Sequence, residues 1–173
     1  MKMFPFGMYM RYAEVYGLAM ALMALALPAL DAQAKEARVH ASACRTEGGV
    51  PAAHHGTLAN NSSSNAMLVY YPIADTDSFR KQDIYTLNIH GHNGTSERKT
   101  LARACVAYWG MAGGSCDVGV ASDYGSQEYT LKPFLNVWNS VTVNDFGYLY
   151  ISVPPQASTG AVSIFRGYFT HGN

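Results

Sequence analysis

The chain has 173 residues with 12 basic and 12 acidic side chains, so its formal net charge is zero, and only 14% of its residues are charged. No basic run or stripe occurs, which excludes nucleic acid and anionic membrane surfaces as expected partners. The length suits one domain with a sizeable core, and low charge with abundant Tyr, Val, Gly, Ser and Asn is typical of a secreted β-sandwich.

An apolar run, Gly17–Leu30, dominates the N-terminal region. Lys2 and Arg11 precede this run, and the small-residue segment Ala32-Gln33-Ala34 follows it, which is the plan of a secretory signal peptide. The run is too short for a membrane-spanning helix, which needs ~20 apolar residues. We therefore predict that residues 1–34 are a signal peptide cleaved after Ala34. The protein is then expected to be secreted or periplasmic, with no membrane span in the mature chain. Translation could start at Met1 or at Met10, and the sequence leaves both alternatives open.

The segment after the predicted cleavage site, residues 35–55, is polar and rich in small residues. We predict that it is an extended N-terminal arm, and that residues 56–173 form one domain. Period-2 alternation and turn residues predict short strands in that domain. These strands cover residues 56–59, 65–71 (Met67, Val69 and Tyr71 on one face), 83–91 (Tyr85, Leu87 and Ile89 inward), 101–109, 116–121, 128–131, 145–155 and 161–170.

The strand Asp145–Pro155 is predicted to be central. Leu149, Ile151 and Val153 alternate in it with Tyr148, Tyr150 and Ser152, and no charged residue lies between Phe146 and Val153. Alternation of this kind is typical of a half-buried strand. Two prolines end the strand because proline cannot donate a hydrogen bond to a neighbouring strand.

About eight short strands without an amphipathic helical segment predict an all-β fold, a single antiparallel two-sheet β-sandwich that is jelly-roll-like or Ig-like. Asn93-Gly94 is predicted to be a hairpin turn, and residues 136–144 are predicted to be irregular. The last strand is the candidate uncovered edge, through which the protein could self-associate.

The mature chain keeps three cysteines, and export makes disulfides expected. Cys105 and Cys116 fit facing positions of the hairpin 101–121, with residue 107 opposite 114, and this pairing is preferred. Cys44–Cys105 is the alternative pairing, and Cys44 as a lipidated N-terminal cysteine is an alternative to the signal cleavage at Ala34. In the preferred scheme Cys44 is the unpaired residue.

Several short motifs resemble a group of small secreted proteins of unknown function from proteobacteria, notably myxobacteria. They are Ala43-Cys44, Asn60-Asn61-Ser62-Ser63 before a strand ending in Pro72, Ile84–His90, Arg103–Val106, Gly113–Cys116, and Gly147–Tyr150 before Pro154-Pro155. The resemblance implies export and a β-sandwich, and it implies no known reaction. Many of the group have cysteines where this chain has Tyr71 and Ile151, so a core disulfide would be replaced here by an apolar contact.

Candidate metal ligands are few, and we predict no metal site and no cofactor. His90 and His92 lie two apart on a strand and share a face, as a metal pair requires, but no third ligand lies at a suitable local spacing. Asp75, Asp77 and Asp83 flank one loop but do not reproduce the EF-hand pattern of calcium ligands.

Catalytic motifs are absent from the sequence, which has neither G-x-S-x-G nor H-E-x-x-H. Cys116 with a distant histidine would be a nucleophile only if it were not in a disulfide. We therefore predict no catalytic residue, and a small secreted hydrolase with a triad assembled from distant residues is the alternative.

Aromatic residues are the candidate binding groups. Tyr148 and Tyr150 share the outer face of the central strand, where they could stack on sugar rings or contact a protein, and Trp109 and Trp138 lie near strand ends. The sequence therefore predicts an exported, non-catalytic binding or structural module, with carbohydrate or a protein surface as its candidate partner.

Overall fold

The computed structural model describes residues 35–73, 80–110, 112–140 and 145–172. The predicted signal peptide and the loop residues Asp75 and Asp77 lie outside these ranges. The strands within them are β1 (Lys35–His40), β2 (Arg45–Glu47), β3 (Pro51–His54), β4 (Thr57–Asn60), β5 (Met67–Pro72), β6 (Ile84–Asn93), β7 (Leu101–Ala107), β8 (Gly114–Cys116), β9 (Val120–Ala121), β10 (Gln127–Leu131), β11 (Phe146–Val153) and β12 (Ser163–Gly172). Short 3-10 turns span Ala41–Ala43 and Lys81–Asp83, and one helical turn, α1, spans Asn136–Asn139.

The strands form two antiparallel sheets whose inner faces share one apolar core. Sheet A has the order β10-β6-β12-β4-β3, and β1 also pairs with β12. Sheet B has the order β2-β5-β11-β7-β8, and β9 also pairs with β7. The predicted antiparallel two-sheet β-sandwich is therefore confirmed. Among the described residues, no helix is long and apolar enough to cross a membrane.

Strand β11 lies in the middle of sheet B, between β5 and β7, as the alternation predicted. Leu149, Ile151 and Val153 are fully buried in the core, whereas Tyr148 and Tyr150 on the opposite face are half-buried. Full burial of each aliphatic side chain contributes about 1.5–3 kcal/mol. Hydrogen bonds on both edges and apolar contacts beneath make this strand the rigid centre of the sheet.

Residues 35–55, predicted as an extended arm, contribute three strands to the sandwich. Strand β1 pairs with β12 along its whole length, β2 pairs with β5, and β3 pairs with β4. All three lie beside a single neighbour, so one edge of each has no strand partner among the described residues. Strands at such positions carry charged and small residues without the apolar alternation of a central strand, which is why the sequence pattern did not predict them.

Strand β6 differs from its prediction at one residue. Tyr85 was expected to point inward, but its side chain is 56% exposed, while Ile84 and Leu87 are buried. The register against β12 shifts here, since His171 pairs with Thr86 and Gly172 pairs with Ile84. A bulge of this kind adds one unpaired residue and offsets the alternation.

The predicted hairpin turn at Asn93-Gly94 is wrong, because the chain crosses here from sheet A to sheet B. Asn93 is fully buried, and its amide holds the crossing segment in place. Its Nδ2 lies 3.0–3.3 Å from the backbone carbonyl oxygens of Thr95, Arg98, Asp123 and Gly125. A Cβ on Gly94 would lie 2.2 Å from the carbonyl oxygen of Val162, so this glycine is needed for close backbone approach.

The C-terminal strand β12 is central rather than an uncovered edge. It pairs with β6 on one side, and with β4 and β1 on the other. Self-association through β12, as the sequence suggested, is therefore excluded, because its hydrogen-bonding groups are already used within the sheet.

The segment predicted to be irregular after residue 135 contains the helical turn α1. Trp138 in this turn is fully buried, and its indole N–H donates a hydrogen bond to the Cys105 carbonyl oxygen at 2.8 Å. Trp138 is consequently a core residue and is not available as a surface binding group.

Candidate binding face on sheet B

The preferred disulfide is present between Cys105 and Cys116, which face each other across β7 and β8. The register also pairs Ala107 with Gly114, as predicted. The alternative pairing of Cys44 with Cys105 is therefore wrong, and Cys116 is not a free nucleophile. A disulfide fits an extracellular or periplasmic protein, because cytosolic thiols are kept reduced.

Cys44 remains a free thiol and is half-buried. Its Sγ donates a hydrogen bond to the Ala41 carbonyl oxygen at 2.7 Å. Burial raises the pKa of Cys44 to about 11, so the side chain stays a protonated thiol at neutral pH. Because the thiolate is the reactive form, this residue is a poor nucleophile in the folded protein.

Tyr148 and Tyr150 lie on the outer face of sheet B, where they meet Tyr70 of β5. The ring centroid of Tyr70 is 6.4 Å from that of Tyr148, at an interplanar angle of 39°, and 5.6 Å from that of Tyr150, at 68°. All three side chains are half-buried. The three rings are accessible to solvent, but they are tilted against one another and do not form a flat platform.

Two further aromatic residues extend this cluster along β11. Phe146 and Trp109 are 57% and 66% exposed, and their ring centroids are 5.7 Å apart. The carboxylate of Asp145 accepts a hydrogen bond from the Trp109 backbone N–H at 2.9 Å, which positions the Trp109 segment beside β11. We call Trp109, Phe146, Tyr148, Tyr150 and Tyr70 the aromatic strip.

The sequence analysis identified three of these five residues and missed Tyr70 and Phe146. The signal for Tyr70 was present, because Val69 and Tyr71 were assigned to the inner face and Tyr70 alternates with them. What the alternation does not reveal is that β5 is the neighbour of β11, which brings Tyr70 beside Tyr150. Tyr71 and Ile151, the two positions related to the resemblance, both point into the core.

A groove of about 590 Å³ borders the strip. Arg45 and Glu47 of β2 form an ion pair at 3.0 Å along it, and Tyr70 and Tyr148 also line it. Burial, and then the nearby Glu47 carboxylate, raise the pKa of Tyr70. The phenol therefore stays protonated at neutral pH and can donate a hydrogen bond.

The predicted histidine pair lies on the other sheet. His90 and His92 both belong to β6, and His90 Nδ1 is 3.1 Å from the Thr130 hydroxyl. Among the residues that the structure describes, no group of three or more His, Cys, Asp or Glu side chains could hold a metal ion.

His92 instead links a serine to a carboxylate. Its Nε2 is 3.2 Å from Ser126 Oγ, and its Nδ1 is 3.3 Å from Glu128 Oε1. Arg166 also binds Glu128, and its Nη2 donates a hydrogen bond to Oε1 at 2.9 Å. Hydrogen bonding to Arg166 is the main reason why the pKa of Glu128 is lowered. The three side chains have the order of a Ser-His-acid triad, and they lie on the outer face of sheet A with Ser126 exposed.

No family model and no curated protein matches the chain. Solved structures to which the chain is similar include a family two carbohydrate esterase from Cellvibrio japonicus, at 6% identity and a TM-score of 0.45. The match covers 82% of this chain and 35% of the esterase, so this chain spans about a third of that protein. Another is a mutant of a family 29 carbohydrate-binding module complexed with mannohexaose, at 11% identity and a TM-score of 0.45, covering 80% of this chain and 92% of that chain. A second mutant of that module, complexed with cellulohexaose, has 11% identity, a TM-score of 0.43, and coverages of 82% and 93%.

Proposed function

We propose that the protein is an exported binding module that holds a soluble polysaccharide chain against the aromatic strip. The observation that carries this proposal is the run of solvent-accessible rings on β11 and its neighbours, from the exposed Trp109 and Phe146 to the Tyr70–Tyr150 pair. The predicted signal peptide and the disulfide support a location of the protein outside the cytoplasm.

The chemistry of the strip suits sugars. Aromatic side chains offer a large apolar surface at low cost in conformational entropy, and tyrosine adds a hydroxyl that can donate or accept a hydrogen bond. Phe146, Tyr148 and Tyr150 stand on the rigid central strand, so they need little ordering when a ligand binds. Preorganisation of this kind improves affinity because less entropy is lost on binding.

The shape of the strip favours one flexible chain over a crystalline surface. Tyr70 makes angles of 39° and 68° with the two tyrosines of β11, so the rings cannot all lie against one plane. Phe146 and Tyr150 are four residues apart, which corresponds to roughly 13 Å along a strand. We infer a site for a short run of sugar units in a soluble polymer.

The test is affinity gel electrophoresis of residues 35–173 in gels that contain a panel of soluble neutral and acidic polysaccharides. We expect at least one polymer to retard the wild-type protein. The double variant Tyr148→Ala/Tyr150→Ala should bind that polymer at least tenfold more weakly, which corresponds to about 1.4 kcal/mol. Tyr85→Ala is the matched control, since Tyr85 is an exposed tyrosine on sheet A. Equal binding by the wild type and the double variant, or no retardation by any polymer, would refute the proposal.

A second candidate function, a hydrolase, rests on the contacts between Ser126, His92 and Glu128. In such a site His92 would accept the Ser126 proton as Oγ attacks an ester carbonyl, and oxyanion donors would also be required. Hydrolysis of p-nitrophenyl acetate by the wild type and by Ser126→Ala tests this candidate, with Ser140→Ala as the control at another exposed serine. A rate that Ser126→Ala leaves unchanged would remove the candidate.

A further inference from the structure

One transverse row of the outer face of sheet B has a symmetrical composition. Strand register places Arg45 beside Tyr70, Tyr70 beside Tyr150, and Tyr150 beside Arg103. Four neighbouring strands, β2, β5, β11 and β7, therefore present Arg, Tyr, Tyr and Arg in line. With neighbouring strands about 4.8 Å apart, the row is roughly 14 Å wide, and an arginine stands on each side of the tyrosine pair.

The two arginines differ in how their charges are balanced. Arg45 is highly exposed and is paired with Glu47. Arg103 makes no ion pair or hydrogen bond through its side chain with any residue that the structure describes, and its Nε is buried without a hydrogen-bond partner. Arg103 is thus a partly desolvated cation beside Tyr150 with no counter-charge among the described residues.

The burial of Arg103 has a local cause. Gly119, between β8 and β9, lies against the side chains of Leu101 and Arg103. A Cβ at position 119 would be 2.6 Å from Leu101 Cδ1 and 3.0 Å from Arg103 Nε. This close approach removes water from one edge of the guanidinium, and a buried donor that lacks its acceptor is unfavourable, more so when it is charged.

We propose that the polysaccharide held by the aromatic strip is acidic, and that a uronate carboxylate binds Arg103 while a neighbouring sugar packs on Tyr150. This inference rests on the proposed function and specifies its ligand class. A carboxylate matches the planar guanidinium and can accept two parallel hydrogen bonds from its two Nη groups, since Nε is buried. Such a ligand would supply the missing counter-charge, and a neutral sugar would not.

The experiment compares two forms of one polymer, polygalacturonate and fully methyl-esterified polygalacturonate, so that the backbone stays the same and only the carboxylate charge is removed. Binding to residues 35–173 is measured by affinity gel electrophoresis. We expect the wild type to bind the acid form at least tenfold more tightly than the ester, and this ratio to fall as salt is added. Arg103→Gln should bring the ratio near one, whereas Lys132→Gln, which removes an exposed charge outside the row, should leave it unchanged.

Arg103→Lys retains the charge without the planar fork, so it should show an intermediate ratio. It also covers the case in which Arg103→Gln does not fold, which thermal unfolding would reveal. If both polymer forms bind equally and Tyr148→Ala/Tyr150→Ala weakens both, the acidic ligand is refuted while the proposed function stands. If Arg103→Gln and Lys132→Gln lower the ratio equally, the preference is non-specific attraction and the assignment to Arg103 is refuted. If no polymer of either charge binds, the proposed function itself fails.

Discussion

Reduction of the Cys105–Cys116 disulfide is expected to destabilise the fold by about 3 kcal/mol. The bond joins residues 11 apart in sequence, and for a loop of that length the chain-entropy relation gives about 9 cal/mol/K, hence about 3 kcal/mol at 25 °C. The bond connects the short strand β8 to β7, and β7 pairs directly with β11. In the chain-entropy relation, loss of this constraint destabilises the fold by increasing the entropy of the unfolded chain.

The assay is thermal and urea unfolding of Cys44→Ala with and without reductant, followed by circular dichroism. Removing Cys44 first prevents exchange with the free thiol. For a domain of this size, 3 kcal/mol corresponds to a fall in Tm of roughly 10 °C. Reduction has an advantage over substitution, because Cys105 is fully buried and Cys105→Ala would add the cost of a cavity.

The control is Cys44→Ala/Cys105→Ala/Cys116→Ala, on which the reductant should have no effect. A loss below about 1 kcal/mol on reduction of Cys44→Ala would refute the entropic reasoning. It would mean that the hairpin of β7 and β8 retains structure in the unfolded chain, or that breaking the bond lowers the free energy of the native state.

Two other predictions concern buried polar groups. Asn93→Ala should lower the free energy of unfolding by about 2–4 kcal/mol, because one buried and several partly buried carbonyl oxygens lose their donor. Asn139→Ala at an exposed site is the control in urea unfolding, and equal losses in the two variants would contradict the interpretation. Cys44 should react with iodoacetamide at pH 8 about 100-fold more slowly in the folded protein than in urea. The reason is that its pKa is about 11 instead of 9.0, so the thiolate fraction falls in proportion. Similar rates in the two states, measured by mass spectrometry, would show that burial does not protect the thiol.

Local pattern predicted the parts of the fold that depend on near neighbours in sequence. Alternation in β11 separated Leu149, Ile151 and Val153 from the two tyrosines, because successive side chains of a strand point alternately to opposite faces of the sheet. The same rule, applied to a hairpin, predicted that Cys105 faces Cys116. Both predictions needed only a periodicity and a short connection.

Predictions that depended on distant partners were wrong or incomplete. The sequence around Asn93-Gly94 has the composition of a hairpin turn, yet the following strand joins the other sheet. The polar segment 35–55 gave no strand signal, and β1 is held by its pairing with β12, more than a hundred residues away. Tyr85 was misassigned because a bulge depends on the register between two strands, which neither strand specifies alone.

The sequence by itself determined the fold class, the central strand, the disulfide and the outward tyrosines, since these follow from the alternation of side chains and the geometry of one hairpin. Only the tertiary structure decided that β2, β5, β11 and β7 are neighbours in that order. That order aligns Arg45, Tyr70, Tyr150 and Arg103, which are separated by up to about a hundred residues in the chain. The physical reason is that strand order is decided by which faces bury the most apolar surface across the whole core, a property of all the strands together.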